Sequence, residues 1–320
     1  MNILILSAGT RNKIVEYFKR ELNGQGKVIA TDCSNLAPAI YDADKYYIVP
    51  RITDDNYISI ILDICRKENI DTLISLIDPE LSLIAKNIEL FKQIGVNPII
   101  SDYDKVEMCF DKYKMYEFLI ENNFRTPKSY INKAAFLEDL ERRKIIFPVF
   151  VKPVKGSASI NINKINNNEE LDVVWRQADN LMIQEFMDGQ EYGADVYIDM
   201  ISEEPVAIFT KKKIKMRAGE TDKSVSFKDE KLFNLIKKFV KKAGFKGIID
   251  IDIFEVDGEY YISEVNPRFG GGYLHAYECG VNVPKMITNN INGQENKEQI
   301  GNYKENIYMM KYNEIKILRS

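Results

Sequence analysis

The chain has 320 residues, of which 45% are hydrophobic and 29% are charged, and this composition excludes a disordered or fibrous protein. Lys and Arg number 44 against 48 Asp and Glu, so the net charge of -4 disfavours nonspecific binding to nucleic acid or to an anionic membrane. The four cysteines lie far apart and form no C-x-x-C pair, which argues against a zinc or dithiol site.

The N-terminus and the cysteines indicate the compartment. The stretch MNILILSAGT has no basic region, its apolar run is too short for a signal peptide core, and no other stretch approaches a membrane span. Cys33, Cys65, Cys109 and Cys279 fit buried free thiols in a reducing compartment. We therefore expect a cytoplasmic protein without nucleic-acid or membrane partners.

The first third of the chain alternates short apolar runs with helical patterns. Strands are predicted at NILILS, KVIATD, TLISL and NPII, and helices near Asn12–Leu22, Asn56–Lys67 and Glu80–Phe91. Continuous apolar strands separated by amphipathic helices are typical of a parallel sheet covered on both faces. Residues 1–103 are therefore predicted to form a Rossmann-like α/β domain.

Two features of this region lie at predicted strand ends. SAGTR follows the first strand and Asp32 ends the second, but only Gly9 matches the G-x-G-x-x-G fingerprint. We therefore prefer a tight turn there to a dinucleotide site. Asp78 and Glu80 lie where open α/β sheets bind ligands, and they equally fit a helix start with Asp78 as the N-cap. Both explanations stay open, and the pair is a candidate substrate site.

The chain changes character after residue 103. A helix near Asp104–Asn122 precedes the strands PVFVKP and ASININKI, a helix near Glu169–Asp179, and the strand LMIQEF. An antiparallel series then follows: YGADVYIDM, PVAIFTKKKIK, IIDIDIFEV and EYYISEVN. Asp257-Gly258 predicts a hairpin between the last two. This is an α+β region, and NIYMMKY and EIKIL at residues 296–320 are expected to pack back as terminal strands.

ISEVNPRFGGG, residues 262–272, has the most informative polar pattern. Glu264, Asn266 and Arg268 occupy alternate positions, so on a strand they would share a face. Asp252 is as far from the hairpin turn as Glu264, and two opposed carboxylates repel unless a cation lies between them. Oxygen ligands without His or Cys fit Mg²⁺. A salt-bridge cluster with Arg268 is the structural alternative.

Three further segments carry weaker signals. In PVFVKPVKGSASI, Lys152 precedes a small-residue loop with free donors for phosphate. In LMIQEFMDGQEY, a strand ends in a turn that can offer backbone groups to a flat base. TKKKIKMR predicts one basic strand face formed by Lys211, Lys213, Lys215 and Arg217, for which solvated gatekeeper lysines are the structural alternative.

In this order, after Lys112 in CFDKYKMYEFL, these segments resemble ATP-grasp enzymes, most nearly the carbamoyl-phosphate-synthase-like members. The resemblance covers nearly the whole chain. It implies a Rossmann-like domain followed by a two-lobed ATP-grasp fold at 104–295, with lobes at about 104–183 and 184–295. It also implies ATP and Mg²⁺ as cofactors, with Mn²⁺ as a substitute metal.

The resemblance also implies the roles of individual residues. Lys112 and Lys152 would contact phosphates, beneath a flexible loop formed by Gly156, Ser157, Ala158 and Ser159. The adenine hinge would be Gln184, Glu185, Phe186 and Met187, with Glu191 as the ribose ligand. Asp252, Glu264 and Asn266 would hold the metal, although relatives often carry the longer Glu or Gln at the first position. Arg268, Lys215 and Arg217 would be the catalytic cations.

Such enzymes generally phosphorylate a carboxylate with ATP and then let an amine displace phosphate. The carboxylate is already ionised, so the first step needs positioning and charge neutralisation rather than a base. We expect small-molecule carboxylate and amine substrates, and a homodimer is an open expectation. The segment RAGETDKS, with Arg217, Glu220, Asp222 and Lys223, is expected to be a loop that contacts the carboxylate substrate. Gly270, Gly271 and Gly272 would either admit the acyl phosphate or form a turn with positive φ.

Alternatives to a carboxylate–amine ligase stay open. Phosphorylation of bicarbonate or carbamate is disfavoured because this one short chain shows neither tandem halves nor an amidotransferase segment. A non-catalytic nucleotide-binding module would show loss of the metal ligands, which are present. His275, the one histidine, is expected to pack or to lie at the surface rather than to catalyse.

Overall fold

The computed structural model describes residues 1–156 and 162–318, and its strands in those ranges form three sheets. The first sheet contains β1 (Asn2–Leu6), β2 (Lys27–Asp32), β3 (Lys45–Ile48) and β4 (Thr72–Ser75), in the order β3-β2-β1-β4. Its helices are α1 (Asn12–Leu22), α2 (Tyr57–Glu68), α3 (Asp78–Lys86) and α4 (Ile88–Gln93). Every pair in this sheet is parallel, which confirms the predicted α/β arrangement.

Two predictions in this region were wrong in detail. The single helix expected at 80–91 is divided between α3 and α4 at Asn87. NPII is not a strand, although the N–H groups of Asn97 and Ile99 donate to the carbonyls of Asp71 and Leu73, at 2.9 and 3.0 Å. Only a short hydrogen-bonded run therefore follows the edge of β4.

A small antiparallel sheet follows. It contains β5 (Ser129–Tyr130), β6 (Val149–Pro153), β7 (Asn163–Ile165) and β8 (Leu181–Glu185), in the order β5-β8-β6-β7. The helices around it are α5 (Tyr103–Phe110), α6 (Lys112–Glu121), α7 (Lys133–Glu141) and α8 (Asn168–Trp175). The expected helix at 104–122 is broken at Asp111, whose side chain accepts from the N–H groups of Tyr113 and Lys114 and caps α6. Lys112 therefore lies at the first position of a helix.

The largest sheet is also antiparallel. It contains β9 (Gln190–Ile198), β10 (Pro205–Arg217), β11 (Glu220–Phe227), β12 (Gly247–Val256), β13 (Glu259–Asn266) and β14 (Tyr308–Met310), in the order β13-β12-β9-β10-β11-β14. Its helices are α9 (Glu230–Ala243), α10 (Tyr273–Glu278) and α11 (Val283–Ile291). The predicted hairpin between β12 and β13 is confirmed, because Asp257 and Gly258 have φ of 51° and 75°, as a tight hairpin turn requires.

The segment RAGETDKS differs from its prediction as a loop. Ala218 and Gly219 turn the chain with φ of 50° and 76°, and β11 starts directly afterwards at Glu220. The pairing of β10 with β11 then carries Glu220, Asp222 and Lys223 on a strand. A strand fixes these side chains far more firmly than a loop does.

The C-terminal segment packs back on the largest sheet in one place. β14 pairs antiparallel with β11, with Lys223 opposite Met310 and Val225 opposite Tyr308. EIKIL forms no strand, and Ile315 is 84% exposed. The proposed division at 1–103, 104–295 and 296–320 stays a prediction.

The burial of the cysteines agrees only in part with the prediction of buried free thiols. Cys65 and Cys109 are buried free thiols as expected, but Cys33 is exposed. No helix in the described ranges is long and apolar enough to cross a membrane.

Candidate active site

A cleft of ≈ 410 Å³ is lined by both antiparallel sheets and by Arg11, which follows β1 of the parallel sheet. The predicted site residues that line it are Lys152, Gln184, Glu185, Met187, Glu191, Glu220, Asp252, Glu264, Asn266, Arg268, Gly271 and Gly272. It is also lined by residues that were not predicted as site residues, including Arg11, Phe150, Lys213, Met216 and Asp250. We call the part around Lys152, Glu191, Lys213, Asp252 and Glu264 the inner end. The part around Arg11, Asp78, Glu220, Arg268 and Lys311 is the outer end.

Lys152 and Lys112, the two lysines predicted to contact phosphates, have different partners. Strand β6 delivers Lys152 to the cleft, where it is 6% exposed and its Nζ is 3.9 Å from Oε2 of Glu264. Burial lowers the pKa of Lys152, and Glu264 opposes that effect. Lys112 donates from Nζ to the carbonyl oxygen of Gly156. The predicted loop residues Ser157, Ala158 and Ser159 lie outside the described residues.

The predicted adenine hinge follows β8. Gln184 is buried and donates from Nε2 to Oγ of Ser129 at 3.1 Å, which fixes this strand end. The Phe186 ring lies 5.5 Å from that of Phe150, between centroids, and Lys164 lies over it at 4.1 Å. Phe150 also lines the cleft, so an apolar ring stands beside the hinge.

The inner end is held by a lysine between two carboxylates. Nζ of Lys213 is 2.8 Å from Glu191 and also contacts Asp252. Burial alone would lower the pKa of Lys213, but Asp252 and Glu191 raise it above its ordinary value. Burial likewise raises the pKa of Glu191, and Lys213 opposes that shift. The ammonium group of Lys213 thus bridges Glu191, the proposed ribose ligand, and Asp252, a proposed metal ligand.

The three predicted metal ligands lie together as the strand pattern required. Asp252 and Glu264 are opposite each other in the pairing of β12 with β13, and Asn266 lines the same cleft. Their oxygen atoms fit a hard cation such as Mg²⁺. Within residues 1–156 and 162–318, no group of three His, Cys, Asp or Glu side chains could hold a metal, so this set depends on the amide of Asn266.

The expected basic face of β10 was wrong. Lys211 is 0% exposed and forms a buried ion pair with Asp195, so it is not a solvated gatekeeper. Register shifts between Lys213 and Met216 form a bulge that interrupts the alternation of side chains. Consequently Lys213 and Met216 line the cleft, whereas Lys215 and Arg217 do not. Arg217 instead lies 2.9 Å from Asp222, and Lys223 is exposed.

At the outer end, each of the three guanidinium nitrogens of Arg268 has a protein partner. Its Nε and Nη2 lie 3.0 and 2.9 Å from Oδ2 of Asp78, and Nη2 also donates to Oδ1 of Asn266 at 3.3 Å. Nη1 donates to the carbonyl oxygen of Phe269 at 3.1 Å. Burial lowers the pKa of Arg268, but Asp78, Asp250 and Glu264 together leave it raised. The guanidinium is therefore fixed next to the predicted metal ligands.

Asp78 and Glu80 have different roles from those expected. Asp78 is the first residue of α3, with Ile77 as the N-cap, so the predicted capping role was wrong. Glu80 is fully buried and accepts from the hydroxyls of Ser7, Ser75 and Tyr57. Burial raises the pKa of Glu80. Glu80 thus belongs to a buried hydrogen-bond cluster away from the cleft, and Asp78 contacts the site through Arg268.

The three glycines allow close approach by side chains of the protein itself. A Cβ atom would lie 2.4 Å from Cγ of Asp250 at Gly270, 2.7 Å from Cδ of Glu220 at Gly271, and 2.9 Å from Cε of Lys211 at Gly272. None of the three has positive φ, so the turn explanation was wrong.

His275 is buried outside the cleft. Its Nε2 donates to the carbonyl oxygen of Ile307 at 3.0 Å, because that oxygen can only accept, and its Nδ1 accepts from Oγ of Ser224 at 2.8 Å. Burial lowers the pKa of His275 to about 4. The expected packing role is consistent with these contacts.

Arg11 is one of the cleft residues that the sequence analysis missed. It belongs to SAGTR, which was interpreted only as a turn, and its Nη2 lies 2.8 Å from Oε1 of Glu220. Glu220 in turn accepts from Nζ of Lys311 at 2.8 Å. The position of Arg11 after the first strand could have indicated a role in the site, because loops at the carboxyl edge of a parallel sheet commonly line ligand sites.

A parallel-sheet domain followed by two antiparallel sheets around a lysine- and carboxylate-lined cleft defines the ATP-grasp architecture. The family model described as "ATP-grasp domain" matches residues 109–272, and one described as "PylC-like, N-terminal domain" matches residues 3–99. The chain belongs to the ATP-grasp family. This confirms the predicted family and fold class and agrees with ATP and Mg²⁺ as cofactors.

Curated relatives are similar over most of this chain. A carbamoyl phosphate synthase large chain of Clostridium perfringens (strain SM101 / Type A) is 26% identical in an alignment of 266 positions that covers 77% of this chain and 23% of that one. A D-alanine--D-alanine ligase of Francisella philomiragia is 27% identical in an alignment of 247 positions that covers 70% of this chain and 81% of that one. The chain thus spans about a quarter of the length of the synthase.

Solved structures share the fold. The biotin carboxylase domain of the Hydrogenobacter thermophilus 2-oxoglutarate carboxylase gives a TM-score of 0.76 at 16% identity, covering 96% of this chain and 73% of that chain. The N5-carboxyaminoimidazole ribonucleotide synthetase from Thermotoga maritima gives 0.70 at 19% identity, covering 93% and 78%.

Proposed function

We propose that this protein is an ADP-forming ligase that phosphorylates a small-molecule carboxylate and transfers the acyl group to an amine. The observation that carries the proposal is the gathering of Lys152, Glu264, Asn266 and Arg268 in one cleft. Cations, hard oxygen ligands and a fixed guanidinium are what phosphoryl transfer requires.

The nucleotide would lie at the inner end. Lys152 and Lys112 would contact its phosphates, and Glu191 would accept from its ribose. Asp252, Glu264 and Asn266 would hold Mg²⁺, which when bound neutralises phosphate charge. Because Lys213 contacts both Glu191 and Asp252, it would fix the positions of the ribose ligand and the metal ligand relative to each other.

The reaction needs no base in its first step. A carboxylate oxygen of the substrate forms a bond to the γ-phosphorus while the bond to the bridging oxygen of ADP breaks. The amine nitrogen then bonds to the acyl carbon, loses a proton, and phosphate leaves with the former carboxylate oxygen. Arg268, held by Asp78, would stabilise the transferred group. The catalytic role expected for Lys215 and Arg217 has no support in their positions.

The names of similar proteins support this reaction class. They include the D-alanine--D-alanine ligase and a structure described as an L-amino acid ligase from Bacillus licheniformis, with a TM-score of 0.70 at 19% identity. The description of the Hydrogenobacter domain includes MgADP, which supports ATP with Mg²⁺ as the nucleotide pair proposed here.

A phosphate-release screen tests the proposal. The protein, ATP and Mg²⁺ are mixed with pooled carboxylates and then with pooled amines. We expect release of ADP and phosphate only when an active carboxylate is present, and a hydroxamate when hydroxylamine replaces the amine. ADP release without any trapped hydroxamate across a broad panel would count against an acyl phosphate.

Bicarbonate is a second candidate for the carboxylate. The similarity to carbamoyl phosphate synthase large chains favours it, as does the Hydrogenobacter domain, whose description includes bicarbonate. The test is ADP release in degassed buffer with bicarbonate as the sole added acid. A purely nucleotide-binding module would bind ATP but release no phosphate under either condition.

We also propose a cytoplasmic location and a homodimer. Four free cysteines, among them buried Cys65 and Cys109, are consistent with a reducing compartment. The Hydrogenobacter domain is described as a dimer. Light scattering of the purified chain would measure its assembly directly.

A further inference from the structure

Arg11 is a cation of the cleft with few protein partners for its donors. A guanidinium has five N–H donors. Among residues 1–156 and 162–318, the side chain of Arg11 forms a hydrogen bond or ion pair only with Glu220, through Nη2. The neighbouring Arg268 has Asp78, Asn266 and Phe269 as partners. Most donors of Arg268 are thus occupied by protein partners, whereas most donors of Arg11 have none in the described part of the chain.

Glu220 does not fully balance the charge of Arg11. Its Oε2 accepts from Lys311 at 2.8 Å while its Oε1 lies 2.8 Å from Arg11, so one carboxylate is shared by two cations. The Arg11–Glu220–Lys311 cluster therefore has a net charge of about +1. Burial lowers the pKa of Arg11 despite the opposing effect of Glu220, which is consistent with a cation that lacks a full counter-charge.

The position of Arg11 separates it from the chemistry of the inner end. It lines the cleft with its side chain 24% exposed, and it has no contact with Asp252, Glu264 or Asn266 within the described residues. Its partner Glu220 lies against Gly271, where even a Cβ atom would be only 2.7 Å from Cδ. Arg11 therefore lies beside the part of the cleft formed by Glu220 and Gly271.

We propose that Arg11 binds a second anionic group of a substrate, a carboxylate or a phosphate distinct from the carboxylate that is phosphorylated. Glu220 and Lys311 are positioning residues that hold the Arg11 side chain against the cleft. This inference rests on the proposed ligase function. It implies that one of the two substrates is bifunctional, either a dicarboxylate or an amine that carries an acid.

Matched substrate pairs test the assignment. In the presence of ATP and Mg²⁺, succinate is compared with propionate as the acid, and β-alanine and O-phosphoethanolamine are compared with ethylamine as the amine. We expect the wild type to prefer the member with the extra anion by about tenfold or more in kcat/KM, since a charge-assisted hydrogen bond discriminates to that degree. The pair that shows the preference identifies whether the anion is a carboxylate or a phosphate and which substrate bears it.

The variant Arg11→Met should abolish that preference while leaving the KM for ATP unchanged, and Arg11→Lys should retain part of it. Arg20→Met is the matched control, because Arg20 is an exposed arginine on α1 whose partner is Glu16. The control should keep the full preference. An unchanged preference in Arg11→Met, or an equal loss for both members of a pair, would overturn the proposal.

If the protein converts neither member of any substrate pair, ligand binding tests the assignment of Arg11. Thermal melts are recorded with MgADP and each of succinate, β-alanine and O-phosphoethanolamine. An anion that stabilises the wild type and Arg20→Met but not Arg11→Met supports the assignment even when the ligase proposal fails for lack of ADP release. Equal stabilisation of all three proteins, or no stabilisation of the wild type by any probe, would contradict it.

Discussion

The inner and outer ends of the cleft are built in different ways. At the inner end, Lys213, Asp252 and Glu264 lie on strands of the largest sheet, and Lys152 lies on a strand of the small antiparallel sheet. At the outer end, Arg268 bonds a residue 190 positions earlier, and Glu220 bonds one 91 positions later. Strand alternation therefore determines the inner end, whereas only tertiary packing creates the outer end. In the proposed function, the inner end would bind the nucleotide and the outer end would recognise the substrate.

The largest effect on stability is expected from substitution of Lys211, which lies beneath the cleft. Lys211 forms a buried ion pair with Asp195 and lies against Gly272. Lys211→Met leaves a buried carboxylate unpaired, which costs about 3–5 kcal/mol of unfolding free energy. Chemical denaturation measures this loss. The double variant Lys211→Met with Asp195→Asn should recover much of it, and a double variant no more stable than the single would show that the pair is not the cause.

The inner end is tested by Glu264→Gln, which removes a charge and keeps the shape. We expect ATP turnover to fall by about a hundredfold or more, because a metal held less tightly neutralises less phosphate charge. Steady-state ADP release is the measurement, and the melting temperature should change little. Glu259→Gln on the same strand is the control, since Glu259 pairs with Arg125 and Lys231 away from the cleft. Comparable magnesium-dependent turnover in both variants would make the carboxylate cluster structural.

The contrast between the ends explains what the sequence could predict. The opposition of Asp252 and Glu264 follows from counting residues back from Asp257-Gly258, so a local rule suffices. The same rule failed on β10, because no local signal marks the bulge that moves Lys215 and Arg217 out of the cleft. The rule also could not predict that Arg11 contacts Glu220, because the two residues are far apart in the sequence.

The outer end is tested by Gly271→Ala. The added methyl would push away the carboxylate of Glu220, the flexible partner of Arg11. We expect the KM for a substrate to rise about tenfold, the size of a lost charge-assisted contact, while the dissociation constant for ATP stays unchanged. Calorimetry with ATP and steady-state kinetics separate these quantities. Weakened ATP binding without a change in substrate KM would mean that the two ends are not distinct.

The smallest effect concerns His275, which lies outside both ends. Its folded pKa of about 4 is below its ordinary value, so the unfolded chain binds a proton between pH 6.5 and about 4 and the folded chain does not. Stability should therefore fall as the pH falls through that window, by about 1 kcal/mol between pH 6 and pH 5. His275→Gln should remove this part of the slope in denaturation experiments. An identical slope in the variant would place the pH dependence on other groups.

The most direct test of the central claim follows the oxygen atom of the substrate. The carboxylate found active in the phosphate-release screen is labelled with ¹⁸O and incubated with ATP, Mg²⁺, the amine and the wild-type protein in unlabelled water. The proposed mechanism predicts that the released phosphate carries one ¹⁸O atom, because the carboxylate oxygen bonds to the γ-phosphorus before the amine expels it. Unlabelled phosphate released together with the amide product would contradict the acyl-phosphate mechanism.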